Sequence, residues 1–409
     1  MSEVIRLQPD AAPEEQDRFH RFSLIGWWDQ KKLAAAKVVV IGAGALGNEI
    51  VKNLALLGIG NLFIADKDRI ENSNLSRSVL YRESDAGEFK ATVAARAAKQ
   101  IYPQMNVAYF NGDIVHDLGL GIFHWADLVI GGLDNREARL AINRACWKVN
   151  RPWIDGAIEQ IQGVARVFVP DGPGENPCYE CTMSQRDWQL LQMRRSCNLL
   201  TREEMERGKT PTTPTISSII AGVQCQEAVK LLHGMDSIAG KGFVFQGLST
   251  DSYQTEYQRK PDCYSHDTLD EIIPLDVSTT SITARDLLYK AATIGGGGGG
   301  PVELDLNRDI LEKLICPQCK QEELLYESLG KVKSDRALCP TCKTVRREVI
   351  TFNKIRGTEP FLDRKLSEIG VPPFDIVTIR ANNKSIGLEF SADNTAVLGS
   401  LADSGLDLI

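Results

Sequence analysis

Apolar positions along the chain switch between two periods, and the switches mark out its elements. Val38–Ile41 is a short continuous apolar run broken by Gly42, the pattern of a buried strand. Leu46–Leu57 then places apolar residues at helical spacing, and Asn61–Ala65 is a second short strand ending at Asp66. Lys90–Ile101 is predicted as a helix, Asp127–Ile130 as a strand and Glu137–Val149 as a further helix. This alternation predicts an α/β fold built on a parallel sheet with helices on both faces. After Arg151 the pattern changes. Gly163–Val169 reads as an extended strand running into the Pro170-Asp171-Gly172-Pro173-Gly174 loop. Ser184–Lys209 is polar and basic, as in a surface helix or crossover loop; Thr210–Thr215, with two prolines, ends it before the apolar helix Ile216–Leu232.

Three units follow from this pattern: an arm over residues 1–30, a main domain over 31–275 with a crossover at 182–212, and a C-terminal domain over 276–409. The arm is polar and then aromatic and basic, from Arg18 to Trp28. Gly295–Gly300 is the one low-complexity segment and reads as a flexible connector. The tail, Phe374–Phe390, is β-rich.

Composition narrows the function classes. With 43% hydrophobic and 25% charged residues, the chain has enough apolar material for a sizeable core, which excludes disorder as its main state. A net charge of −7 argues against a general nucleic-acid binder, which needs a basic face to displace counterions. No apolar run approaches a membrane span, and Met1–Phe19 lacks the apolar core of a signal peptide, so a cytoplasmic protein is expected. Ten cysteines in such a chain point to metal sites rather than disulfides.

The candidate chemistry begins at Gly42-Ala43-Gly44-Ala45-Leu46-Gly47, a G-x-G-x-x-G loop between a predicted strand and a predicted helix. Missing side chains let the backbone approach a phosphate, and the helix N-terminus offers free N–H groups. Asp66, nineteen residues past Gly47, is where a ribose-binding acid belongs. Asp68, Asn74, Arg77 and Lys90 add polar and cationic groups beyond the second strand, and Asp134-Asn135 lies after the Asp127–Ile130 strand. Hydride transfer has no use for so many phosphate ligands, whereas attack at phosphorus does. Cations neutralise the crowded transition state and a carboxylate such as Asp134 can hold Mg²⁺.

These motifs resemble the ubiquitin-activating enzyme superfamily. Ile41–Gly47, Asp66-Lys67-Asp68, Ser73-Asn74-Leu75-Ser76-Arg77, Gly87–Lys90 and Asp134-Asn135…Arg139 stand in its order and spacing, over about Arg18 to His266. That superfamily includes bacterial sulfur-carrier adenylyltransferases and the activating enzymes of ubiquitin and its relatives. The resemblance implies a Rossmann-like doubly wound adenylation fold and ATP-dependent adenylation of a partner's C-terminal glycine. It implies further that Asp66 holds the ribose, that Asn74, Arg77 and Lys90 hold phosphates, and that Asp134 sits at the magnesium. A homodimer is expected in which an arm arginine acts across the interface; Arg21 best fits that place, with Arg18 as competitor. Ser78 departs from the family, which commonly has Gln after the arginine.

Asn176-Pro177-Cys178-Tyr179-Glu180-Cys181 and Lys260–His266 look like the two halves of the superfamily's zinc knot. Cys178, Cys181, Cys263 and His266 would be its ligands, His266 replacing the usual cysteine; a Cys3His set suits structural Zn²⁺. Cys316, Cys319, Cys339 and Cys342 form two C-x2-C knuckles, a zinc ribbon on spacing alone, with rubredoxin-like iron as the minor alternative. About two Zn²⁺ per chain are expected. Cys197, flanked by Arg194, Arg195 and Ser196, is the candidate reactive thiol, because positive charge favours the thiolate. The superfamily's crossover carries the cysteine that accepts the activated carboxyl group.

The expected function is therefore activation of a ubiquitin-like β-grasp protein: adenylation, thioester formation on Cys197 and transfer to a conjugating enzyme. A sulfur-carrier adenylyltransferase shares every nucleotide residue and is the alternative. A catalytically inactive scaffold and an NAD dehydrogenase are weaker readings.

Overall fold

The computed structural model describes residues 17–170, 176–189, 211–295, 302–332, 334–381 and 384–402. Eight strands build the first sheet: β1 (Lys37–Ile41), β2 (Asn61–Ala65), β3 (Asn106–Phe110), β4 (Leu128–Gly131), β5 (Trp153–Glu159), β6 (Gln162–Phe168), β7 (Lys241–Gln246) and β8 (Asp251–Glu256). Their order is β3-β2-β1-β4-β5-β6-β7-β8. From β3 to β5 neighbouring strands run parallel, and from β5 to β8 they run antiparallel. The expected parallel sheet is thus only part of a mixed one. The reason lies in the connections: β5 turns back into β6 through a tight hairpin at Gln160-Ile161, whereas helices carry the chain between the parallel strands.

Three helices, α1 (Ala45–Leu57), α2 (Lys90–Ile101) and α4 (Pro214–His233), cover one face, and α3 (Arg136–Lys148) with two short helices, Ile114–Asp117 and Gly121–Trp125, covers the other. The inner parallel strands are mostly apolar because both faces are sealed; all five residues of β2 are buried. Among the described residues no helix is long and apolar enough to cross a membrane.

A second sheet contains β9 (Glu271–Leu275), β10 (Leu304–Ile315), β11 (Glu322–Ser328), β12 (Glu348–Ile355), β13 (Ile376–Ala381) and β14 (Lys384–Phe390). Its order is β11-β10-β13-β14-β9, with β12 also paired to β10, and α5 (Ala284–Ile294) packs its Leu287 and Ala291 into the same core. β9 pairs in parallel with β14, so the second sheet takes in residues ahead of the expected boundary at 276. The two sheets are joined by apolar packing: Phe374, Ile376, Leu398 and Leu401 lie in one cluster with Ile114, Leu118, Ile122 and Trp147.

Candidate functional site

Gly42–Gly47 leaves β1 and enters α1 at the carboxyl edge of the parallel strands. Gly42 has φ +90°, and a Cβ there would lie 2.6 Å from the Gly132 carbonyl oxygen. Gly47 is equally constrained, since its Cβ would meet the Gly42 carbonyl. Gly44 differs: a Cβ there would have nothing within 4 Å, so its backbone faces open space where a ligand can approach. It is also the N-cap of α1, with no side-chain cap occupying the first-turn N–H groups.

Two residues that the sequence reading missed shape this loop. Asn48 donates to the carbonyls of Ala43 (2.7 Å) and Gly44 (3.1 Å), and the Tyr81 hydroxyl donates to Ala43 at 2.6 Å. Both turn loop carbonyls inward, and burial pushes the Tyr81 phenol well above its usual range, so it stays a donor. An asparagine set among the apolar Leu46, Ile50 and Val51 was the available signal for Asn48.

Asp66, at the end of β2, accepts from the backbone N–H of Ala43 and of Asp68, both at 2.7 Å. Burial raises its pKa, and the Lys90 charge opposes that rise. Lys90 bonds to Asp68 at 2.9 Å. Asn74 accepts from Glu71 N–H, and Arg77 donates to the Ser73 carbonyl, each closing the turn that carries it. Asn135 caps α3 through Ala138 N–H and donates to Asp134, whose carboxylate is exposed. Gly42, Gly44, Asp66, Asp68, Asn74, Arg77, Lys90, Asp134 and Asn135 all line one cleft of about 2410 Å³; Gly47 packs beneath it. Lys67, ion-paired to Asp113 at 2.9 Å, stands on the same rim; burial opposes its charge, but Asp113 holds its pKa above the usual value.

Arg139 borders the cleft, but its guanidinium is committed to the core. It is buried, bonding Asp155 at 2.8 Å and the carbonyls of Leu133 and Gly156. Arg166 grips the other Asp155 oxygen, so one buried carboxylate joins β5, β6 and the start of α3 beside Asp134.

The two cysteine groups also assemble. In the first, Cys178 Sγ lies 3.8 Å from Cys181 Sγ and 3.5 Å from Cys263 Sγ, with His266 Nε2 3.5 Å from Cys181 Sγ. In the second, Cys316 to Cys342 is 3.9 Å and Cys319 to Cys339 is 3.6 Å. Tetrahedral zinc with Zn–S bonds of about 2.3 Å separates its sulfurs by ~3.8 Å, so both groups fit that ion. Backbone N–H groups of Lys260, Cys319 and Cys342 point at cysteine sulfurs, as thiolate ligands require. Cys146 and Cys225 are buried in the core. Cys197 lies outside the described residues.

The arm is pinned far from its own loop. Phe19 packs against Gly58, which caps the C-terminal end of α1, and Arg18 lies over the Tyr102 ring at 5.3 Å. A thirteen-residue helix is about 20 Å long, and the glycine-rich loop sits at its opposite end. Arg21 is exposed beside this anchor.

Comparison with known proteins gives a consistent picture. A family model described as the ThiF family matches residues 17–265. A sulfur carrier protein adenylyltransferase of Thermus thermophilus is 32% identical over 61% of this chain and 90% of its own length. The SAMP-activating enzyme E1 of Haloferax volcanii is 30% identical over 60% of this chain and 87% of its own. Among solved structures, E. coli MccB with ATP shares the fold, with a TM-score of 0.52 at 24% identity over 62% of this chain and 75% of that one.

Proposed function

The chain belongs to the ThiF family, and from that premise we propose that it adenylates the C-terminal carboxylate of a ubiquitin-like β-grasp protein. The observation carrying this reading is the single cleft that gathers the Gly44 backbone, Asp66, Asn74, Arg77, Lys90 and Asp134. The α1 N-terminus and the open face of Gly44 receive the phosphates of ATP, Asp66 takes the ribose, and Arg77 and Lys90 neutralise charge as it develops. The carrier's carboxylate oxygen bonds to the α-phosphorus, the bridging P–O bond breaks, and pyrophosphate leaves with the electron pair. Asp134 is the exposed carboxylate suited to Mg²⁺, which supplies further charge neutralisation when bound. Asp134→Ala should abolish ATP–pyrophosphate exchange in a folded protein; normal exchange would sink the mechanism.

Arg21 completes the site of a second copy in a homodimer. Its anchor lies at the far end of α1 from its own loop, so reach across an interface suits it better than reach within the chain.

After adenylation, Cys197 attacks the acyl-adenylate carbonyl, AMP departs, and the thioester passes to a conjugating enzyme. The Haloferax relative, named as an E1, favours this second step. The Thermus relative favours the alternative, in which the adenylate is converted to a thiocarboxylate. Cys197→Ala separates them: it should keep pyrophosphate exchange and lose a reductant-sensitive covalent adduct. An adduct that survives moves the nucleophile elsewhere, and a persulfide at Cys197 favours the sulfur carrier.

A further inference from the structure

The family match stops at residue 265, yet the cleft does not. Its wall continues onto the second domain, at Asn307, Arg308 and the Ser328–Val332 turn after β11. That turn lies against the segment following β3. His116 Nδ1 is 2.9 Å from the Ser328 hydroxyl, and a Cβ on Gly330 would lie 2.3 Å from the His116 ring. Lys331 pairs with Asp117, whose other oxygen accepts from Asp113 N–H, and Asp113 in turn holds Lys67 beside Asp66. Arg308 donates to the carbonyls of Val115 and Leu118, and the buried Asp375 accepts from Leu120 N–H at 2.9 Å. Residues 113–120 are thus held by three separate parts of the second domain.

The position of this segment gives it a role. Phosphates belong at the loop after β1 and the ribose at the acid after β2, so the nucleobase runs outward over the loop after β3. We propose that the second domain forms the outer wall of the nucleobase end of the cleft, its Ser328–Val332 turn closing over His116. Purine recognition in this chain is then shared between two domains. The inference rests on the adenylation reading, because it needs ATP in this cleft.

Hydrogen exchange on the full chain tests both and separates them. ATP should slow exchange at residues 42–47 and also at 328–332, whereas inorganic tripolyphosphate should slow only 42–47. Protection by ATP at 42–47 with 328–332 unchanged would overturn the shared wall and leave adenylation standing. Protection at neither would sink both. Two variants give a second readout in pyrophosphate exchange. Gly330→Val pushes a methyl into the His116 ring and should raise the KM for ATP about tenfold with the KM for pyrophosphate unchanged. The Ser328→Ala/Lys331→Met double variant adds no bulk and should raise it about threefold. Parental KM values for ATP in both variants would refute the proposal.

Discussion

Replacing Asp155 by Asn probes a buried carboxylate that holds two arginines. Asp155 is fully buried and takes Nε of Arg139 on one oxygen and Nε and Nη2 of Arg166 on the other. The side chains of Arg139 and Arg166 are 9% and 14% exposed, so water offers little relief if the carboxylate is neutralised. Asparagine matches the shape and leaves no cavity, which isolates the electrostatic loss. Removing one partner from a buried ion pair costs about 3–5 kcal/mol. At roughly 2–4 °C per kcal/mol for a domain of 150–250 residues, the melting temperature should fall by about 10 °C. Differential scanning calorimetry in low and high salt is the assay. Buried pairs are weakly screened, so the drop should persist at high salt. Arg139 also holds the Leu133 carbonyl next to Asp134, so pyrophosphate exchange should fall below the loss expected from unfolding alone. A melting temperature within about 2 °C of the parent would refute the account, because a carboxylate gripping two arginines away from water cannot be that dispensable.

Other measurements reach the remaining parts of the argument. Mixing an Arg21→Ala chain with an Asp134→Ala chain should restore exchange in mixed dimers; no rescue, with mixing confirmed, would count against action in trans. Elemental analysis should find about two zinc ions per chain, and Cys263→Ser should lower the count by one while leaving the ribbon's ion in place. Burial lowers the pKa of His116, and Arg308 adds to this, although Asp113, Asp117 and Glu137 oppose it. The folded chain therefore disfavours His116 protonation: its contribution to stability is complete above about pH 6.5 and is lost as pH falls below it. His116→Gln should flatten that part of the melting temperature profile, and an unchanged slope would place the proton elsewhere.

How far the sequence could be read depended on whether burial was decided locally. Asn61–Ala65 and Lys90–Ile101 were legible to the residue, because the first is a short, mainly apolar run buried on both faces and the second buries a stripe at helical spacing. β3 was not: it is an edge strand of the first sheet with Tyr109 exposed, so Asn106–Phe110 carries no clean alternation. β8, the other edge, is exposed at almost every position and left no apolar pattern to find. The pairing of β9 with β14 joins residues more than a hundred apart and has no local signature. In the cleft, glycines and the strand-end acid announced themselves through motif spacing. Lys67 and Asp113 did not, since a contact across forty-six residues depends on where β3 ends. Arg139 sits in a motif and yet serves the core, a distinction made by the buried partner Asp155.

The packing of Leu398 and Leu401 against β3 and Gly121–Trp125 has a consequence for synthesis. A ribosome delivers roughly 5–20 residues per second, so the first-sheet half waits about seven to thirty seconds, after its own last strand emerges, for these two leucines. During that interval Ile114, Leu118, Ile122 and Phe123 present an uncovered apolar surface beside the open edge of β3. The time this surface stays open is then set by translation speed between β8 and residue 402, not by the chemistry of the cleft. Slower codons in that stretch would lower the yield of soluble enzyme without altering a single amino acid.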